Sequence, residues 1–141
     1  MSPKGSTHTP GPSRISVPAT SIAPALTRAS LRSLGPALGE RRLQDLLLLA
    51  TEVVTNAVRH ATSGGDDVEV LVDVQRERVR LEVRDPGPGF EPRATPDPSA
   101  WPDPDAGGWG LYLVERLAER WGVERRPGGT VVWFELDLDP S

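Results

Sequence analysis

The chain has 141 residues, 37% of them hydrophobic and 26% charged, with a formal net charge of −4 and no cysteine. That length suits one domain around one core, and the acidic balance sets up no global field to draw nucleic acid or an anionic membrane. Lack of cysteine excludes disulfide frameworks, thiol chemistry and cysteine metal sites, and two histidines, His8 and His60, are too few for a zinc cluster.

No apolar run approaches the roughly 18 residues that a membrane span needs, and "MSPKGSTHTPGPS" has no apolar h-region, so a cytoplasmic protein is expected. In chain order, residues 1–12 are Ser, Pro, Gly and Thr and are expected to form a disordered tail. "SRISVPA" fits a short edge strand ended by Pro18. From about 21 to 34, Ile22, Ala25, Leu26, Ala29 and Leu34 give a loosely amphipathic helix, closed by Gly35-Pro36. From about 40 to 61, Leu43, Leu46, Leu47, Ala50, Val53, Val54, Ala57, Val58 and Ala61 mark a helix with a wide buried face.

"TSGGDD" then makes a turn. "VEVLVDV" and "RVRLEVR" alternate with Val68, Val70, Val72 and Val74, then Val79, Leu81 and Val83, on one face, and "QRE" joins them as an antiparallel hairpin. "DPGPGFEPRATPDPSAWPDPDAGG" is too rich in Pro, Gly and Asp for regular structure, and a loop so long in a small domain is usually functional or disordered. A helix resumes near Trp109, with Leu111, Val114, Leu117 and Trp121 on one stripe. "RPGG" reads as a turn before the strand "TVVWFELDL", with Val132, Phe134, Leu136 and Leu138 on one face. Strand, helices, hairpin, loop, helix and strand in this order predict an α+β two-layer sandwich. Its helices pack on one face of a mixed, mostly antiparallel sheet.

Four stretches carry candidate chemistry. Glu52 and Asn56 are four apart, hence on one helix face, and Asn is a poor helix-interior residue because its amide competes for backbone hydrogen bonds. A solvated helix face accounts for the pair, but Val53, Val54, Ala57 and Val58 crowd it. Asp85 ends a strand before Gly87 and Gly89, which allow close backbone approach to a ligand; a plain Asp-Pro-Gly turn explains it too. "GGWGL", Gly107 to Leu111, opens a helix whose free N–H groups and dipole favour an anion, although a flexible loop end has the same look. Gly128, Gly129 and Thr130 lead into the last strand, as any hairpin turn does.

Taken together, their order and spacing resemble the GHKL, or Bergerat-fold, ATP-binding domain shared by gyrase, the large heat-shock chaperone, histidine kinases and mismatch-repair proteins. "EVVTN" is similar to its N box, "DPGPG" to its first glycine box, "GGWGL" to its second and "GGT" to its closing element, over roughly residues 14–138. Rival nucleotide signatures, G-x-x-x-x-G-K-[ST] and a G-x-G-x-x-G between strand and helix, are absent. The resemblance implies one ATP-binding domain over 13–139 with a lid at about 90–107, and ATP with Mg²⁺ as cofactors. It implies Asn56 as the metal ligand and Glu52 as the catalytic base. The nucleotide-binding residues it implies are Asn56, Asp85, Gly87, Gly89, Gly108, Gly110, Leu111 and Thr130. Asp85 would accept a hydrogen bond from the adenine amine.

A chain of this size is expected to stand alone, and "TEVVTNAVRHA" looks like the anti-sigma-factor serine/threonine kinases. That resemblance implies a sigma factor and a STAS-domain anti-sigma antagonist as partners, with phosphorylation of the antagonist. It gives no direct nucleic-acid or membrane partner and leaves room for a homodimer. One departure matters. Kinases of this group carry an Arg just before the second glycine box, where this chain has "DPDAGG". The alternative is therefore a non-catalytic nucleotide-binding regulator that works by binding a sigma factor or another partner.

Overall fold

The computed structural model describes residues 12–60, 67–85, 109–127 and 129–138. The expected tail before Pro12, the "TSGGDD" turn, Gly87, Gly89, Gly108 and the lid at about 90–107 lie outside the described residues.

The elements are β1 (Ser13–Pro18), α1 (Ala23–Leu31), a 3₁₀ turn (Arg32–Leu34), α2 (Gly35–Leu38), α3 (Glu40–His60), β2 (Asp67–Val74), β3 (Arg78–Asp85), α4 (Trp109–Leu117), β4 (Arg120–Arg126) and β5 (Gly129–Asp137). The strands form one five-stranded sheet in the order β1-β2-β3-β5-β4, and every neighbouring pair is antiparallel. The helices pack on one face, with α3 central between α1 and α4 and lying on β3. This is the expected two-layer α+β sandwich.

Alternation in the hairpin decides which face is inside. Val68, Val70, Val72 and Val74 of β2, and Val79, Leu81 and Val83 of β3, are all buried against α3. Val132, Phe134 and Leu136 of β5 complete the layer, Phe134 being fully buried. Helix α3 contributes Leu43, Leu46, Leu47, Ala50, Val53, Val54 and Ala57 as its period predicts, and also Leu49.

Three local expectations are corrected. Gly35-Pro36 does not stop the helical run; it opens α2, because proline fits the first turn of a helix, where its missing N–H is not needed. The stop is Gly39, at φ 84° and ψ 157°, an extended positive-φ conformation that glycine alone adopts without strain. The last helix ends at Leu117, so Trp121 is not on its stripe but on β4. There it pairs in register with Phe134 and packs against the core. Finally, α1 buries Ala23, Thr27 and Leu31, so the apolar residues expected to face the core, Ile22, Ala25, Leu26 and Ala29, are turned to solvent.

The other face of the sheet bears charge. Glu135 is only 8% exposed there, accepting from Arg120 Nε at 2.6 Å and Arg80 Nη1 at 3.1 Å, with Arg78 at 3.8 Å. Trp133 stacks under the Arg80 guanidinium, 4.2 Å from its ring centroid. Its indole lies over Gly122, where a Cβ would come within 2.7 Å of Nε1.

Candidate nucleotide-binding site

Sheet register brings Asp85 and Thr130 together at one end of the sheet. Strand β3 ends at Asp85, which pairs with Thr130 at the start of β5, and Thr130 in turn pairs with Arg125 near the end of β4. Asp85 continues the inward row Val79, Leu81, Val83, so a carboxylate stands where the alternation calls for another apolar residue. Thr130 likewise precedes Val132 and Phe134 on the inward face. Both side chains are buried, Asp85 to 3% and Thr130 to 2% exposure.

Helix α3 reaches the same end. Its last residue is separated by six residues from the start of β2, and the start of β2 pairs beside the end of β3: Glu69 is opposite Arg84. The C-terminal half of α3, which carries Glu52 and Asn56, therefore runs toward the end of the sheet that holds Asp85 and Thr130. Asn56 is buried and Glu52 half-buried, as expected for a face that is only partly open. Helix α4 is antiparallel to α3. Glu119, just past its end, lies 3.8 Å from Arg42 near the start of α3. Its first residues, including Gly110 and Leu111, thus open toward the end that holds Asp85.

The polar residues inside the protein single out the same set. Five are buried among the described residues: Thr27, Asn56, Asp85, Thr130 and Glu135. Thr27 donates to the carbonyl of Ala23 at 2.9 Å, as a helical threonine does, and Glu135 is held by its arginines. The other three are residues that the sequence assigns to the site. A core admits buried polar groups at a cost unless they are satisfied, and Thr130 Oγ1 has no hydrogen-bond partner among the described residues.

The profile of the histidine kinase-like ATPase domain matches residues 17–136. The chain belongs to that family. The match runs from β1 to β5 and takes in Glu52, Asn56, Asp85 and Thr130. This ATPase domain is 27% identical to the serine-protein kinase RsbW of Staphylococcus aureus, over 63% of the chain and 62% of that protein. It therefore spans less than two thirds of that relative. Among solved structures, it superposes on the RsbU and RsbW domains of Rv1364c from Mycobacterium tuberculosis with a TM-score of 0.67 and 25% identity, over 92% of this chain and 33% of that one. The histidine kinase domain from the Erythrobacter litoralis EL346 blue-light activated histidine kinase matches at a TM-score of 0.51 and 21% identity, over 86% of this chain and 61% of that one, a likeness of fold alone. No described helix of the ATPase domain is long and apolar enough to cross a membrane.

The donor set fits the family's ligand. A buried carboxylate beside a buried hydroxyl suits the exocyclic amine and ring nitrogens of adenine. An amide oxygen on α3 suits Mg²⁺, a hard cation that keeps several waters and takes few protein ligands. Among the described residues there is no group of three or more His, Cys, Asp or Glu that could hold a metal ion. The sequence reading carries the last helix to Trp121 and assigns no element to residues 122–126, so it leaves out Arg125, which pairs in register with Thr130. The alternation of Trp121, Val123 and Arg125 is the signal that would have placed it.

Proposed function

We propose that this ATPase domain binds Mg·ATP at the end of the sheet marked by Asp85 and Thr130, and that it is an anti-sigma-factor serine/threonine kinase acting on a STAS-domain antagonist. The observation that carries the reading is the burial of Asn56, Asp85 and Thr130 together where an apolar pattern would continue. The likeness to the RsbW kinase supports the choice within the family.

In this reading Asp85 and Thr130 hold the adenine, Asn56 supplies one ligand to Mg²⁺, and Gly87, Gly89, Gly108 and Gly110 let the backbone approach the nucleotide. The partner's Ser or Thr oxygen forms a bond to the γ-phosphorus while the bond to the β-phosphate oxygen breaks and ADP leaves. Glu52, one helical turn before Asn56, takes the hydroxyl proton. The sequence "DPDAGG", lacking the arginine found there in related kinases, favours a second reading. In that one the protein exchanges partners according to bound nucleotide without transferring phosphate.

Incubation with labelled ATP and the STAS protein encoded nearest its gene separates the two. Kinase activity predicts label on the STAS protein. It also predicts a loss of about 10²–10⁴ in rate for Glu52→Gln, with ATP affinity held within a few-fold. Asn56→Ala should weaken ATP binding in Mg²⁺ and matter far less in EDTA. A parent protein that binds ATP and a sigma factor but labels nothing supports the non-catalytic reading.

A further inference from the structure

Strand β4 ends its inward row on an arginine. Trp121 and Val123 of that row pack against the core, and the next inward position is Arg125. Arg125 pairs in register with Thr130, which pairs with Asp85 on its other side. Residues paired across antiparallel strands share a face of the sheet and lie about 5 Å apart. Asp85, Thr130 and Arg125 therefore follow one another across three strands, on the face that the helices cover. The first two are buried and Arg125 is exposed, so the row runs from the interior to the rim of the sheet. An arginine at the end of an edge strand is ordinarily a solvated surface residue. Arg126 is one: it lies on the other face and donates to Glu124 at 2.7 Å.

The two layers of the fold divide the proposed ligand between them. Asn56, given to the metal, and Gly110, at the start of α4, belong to the helix layer. Asp85 and Thr130, given to the base, belong to the strand layer, and Arg125 belongs with them. The three side chains also complement one another. An ionised Asp only accepts hydrogen bonds, a Thr hydroxyl does both, and a guanidinium only donates. Adenine carries an amine that donates and ring nitrogens that only accept. Asp85 can serve the amine, but a ring nitrogen needs a donor, and Arg125 adds donors to the row. Neighbouring strands lie about 4.8 Å apart, a gap that the long arginine stem can span toward Thr130.

We propose that Arg125 is a base-recognition residue of the nucleotide site. Its guanidinium donates to an acceptor nitrogen of the purine while Asp85 takes the amine. Recognition of this kind presupposes the nucleotide binding proposed above and does not require phosphoryl transfer. Arg125 works at the rim, where water still competes, so its contact is weaker than that of a fully buried charged donor.

The test is calorimetry of ATP, ADP and AMP binding to the full chain, comparing the parent with Arg125→Ala and Arg126→Ala. The Arg125 variant should lose roughly tenfold in affinity for all three nucleotides alike, since they share one base. Arg126→Ala, on the other face, should bind as the parent does. Three deaza analogues of ADP then name the atom, each replacing one of the acceptor nitrogens N1, N3 and N7 by C–H. One analogue should bind the parent roughly tenfold more weakly than ADP does, yet bind Arg125→Ala as well as ADP does. A residue acting only through packing would leave that pattern unchanged. If the parent binds no adenine nucleotide, the nucleotide-binding reading falls and Arg125 with it. If the parent binds and Arg125→Ala stays within twofold of it, the assignment of Arg125 alone falls. It falls too if the analogues give the same ratios in both proteins. A loss that grows from AMP to ATP and fades with added salt would give Arg125 to the phosphates, and that also overturns the proposal.

Discussion

Thr130 buries a hydroxyl that has no hydrogen-bond partner among the described residues, an arrangement that costs a folded protein about 1–3 kcal/mol. Thr130→Val keeps the shape and removes the orphan oxygen. It is expected to raise the melting temperature of the nucleotide-free protein while lowering its affinity for ATP, and calorimetry with thermal melting reads both. A variant that loses stability and affinity together would place the hydroxyl in packing instead. Asp85→Asn should cost the charge-assisted hydrogen bond to adenine, about 1.5–3 kcal/mol or roughly 10- to 150-fold in affinity. Asn56, Asp85 and Thr130 drew attention in the sequence because each lies in an apolar period or beside a glycine turn, and only the resemblance to the family joins them into one candidate site. Arg125 was not, since an arginine in a run of Glu and Arg looks like any solvated surface, and only the register of β4 gives it a place.

At the scale of elements, long periodic segments were readable and their ends were not. The span of α3 came within a residue of the observed Glu40–His60, because its buried stripe repeats over five turns and outweighs local preference. The exposed stripe on α1 misled for the opposite reason: an amphipathic pattern says that a face will be covered, not by what. The last helix was run on through Trp121 because an aromatic at helical spacing cannot by itself be told from one on an inward strand position. The boundary between α2 and α3 rests on Gly39, whose φ of 84° strains any residue with a Cβ even though open space surrounds it. Gly39→Ala and Gly39→Asn are each expected to cost about 1–3 kcal/mol, since ψ is 157° and this extended positive-φ region is essentially reserved for glycine, outside the αL region that Asn tolerates. Denaturant melts of the two variants check that Asn brings no relief over Ala.

Across the whole molecule, the open sheet face is held by charge where the inner face is held by burial. Burial alone would push the Glu135 carboxyl up, but hydrogen bonds from Arg120 and Arg80 overcome it and leave the group below the ordinary carboxylate value of 4.5. A folded-state value below the unfolded one means that the stabilisation is complete above about pH 4.5 and is lost as pH falls through the folded value. Glu135→Gln should therefore destabilise the protein by about 1–2 kcal/mol at neutral pH, a figure discounted because Arg120 is well exposed. The gap from the parent should close in melts taken progressively below pH 4.5. A gap that persists unchanged at pH 3 would assign the effect to packing.

The strand order carries a consequence for how the protein assembles. Hairpins β2-β3 and β4-β5 each join neighbours in sequence, but the seam between β3 and β5 brings together segments separated by α4 and the glycine-rich stretch. Long loops must close before such a seam gains anything, so it forms late relative to the hairpins. Asp85 and Thr130 face each other across that seam. The candidate site thus comes into existence only when the two halves of the sheet have zipped together. Ligand capture would then serve as a readout of completed folding: in refolding experiments nucleotide binding should lag the appearance of strand signal, and saturating nucleotide should slow unfolding more than it speeds refolding.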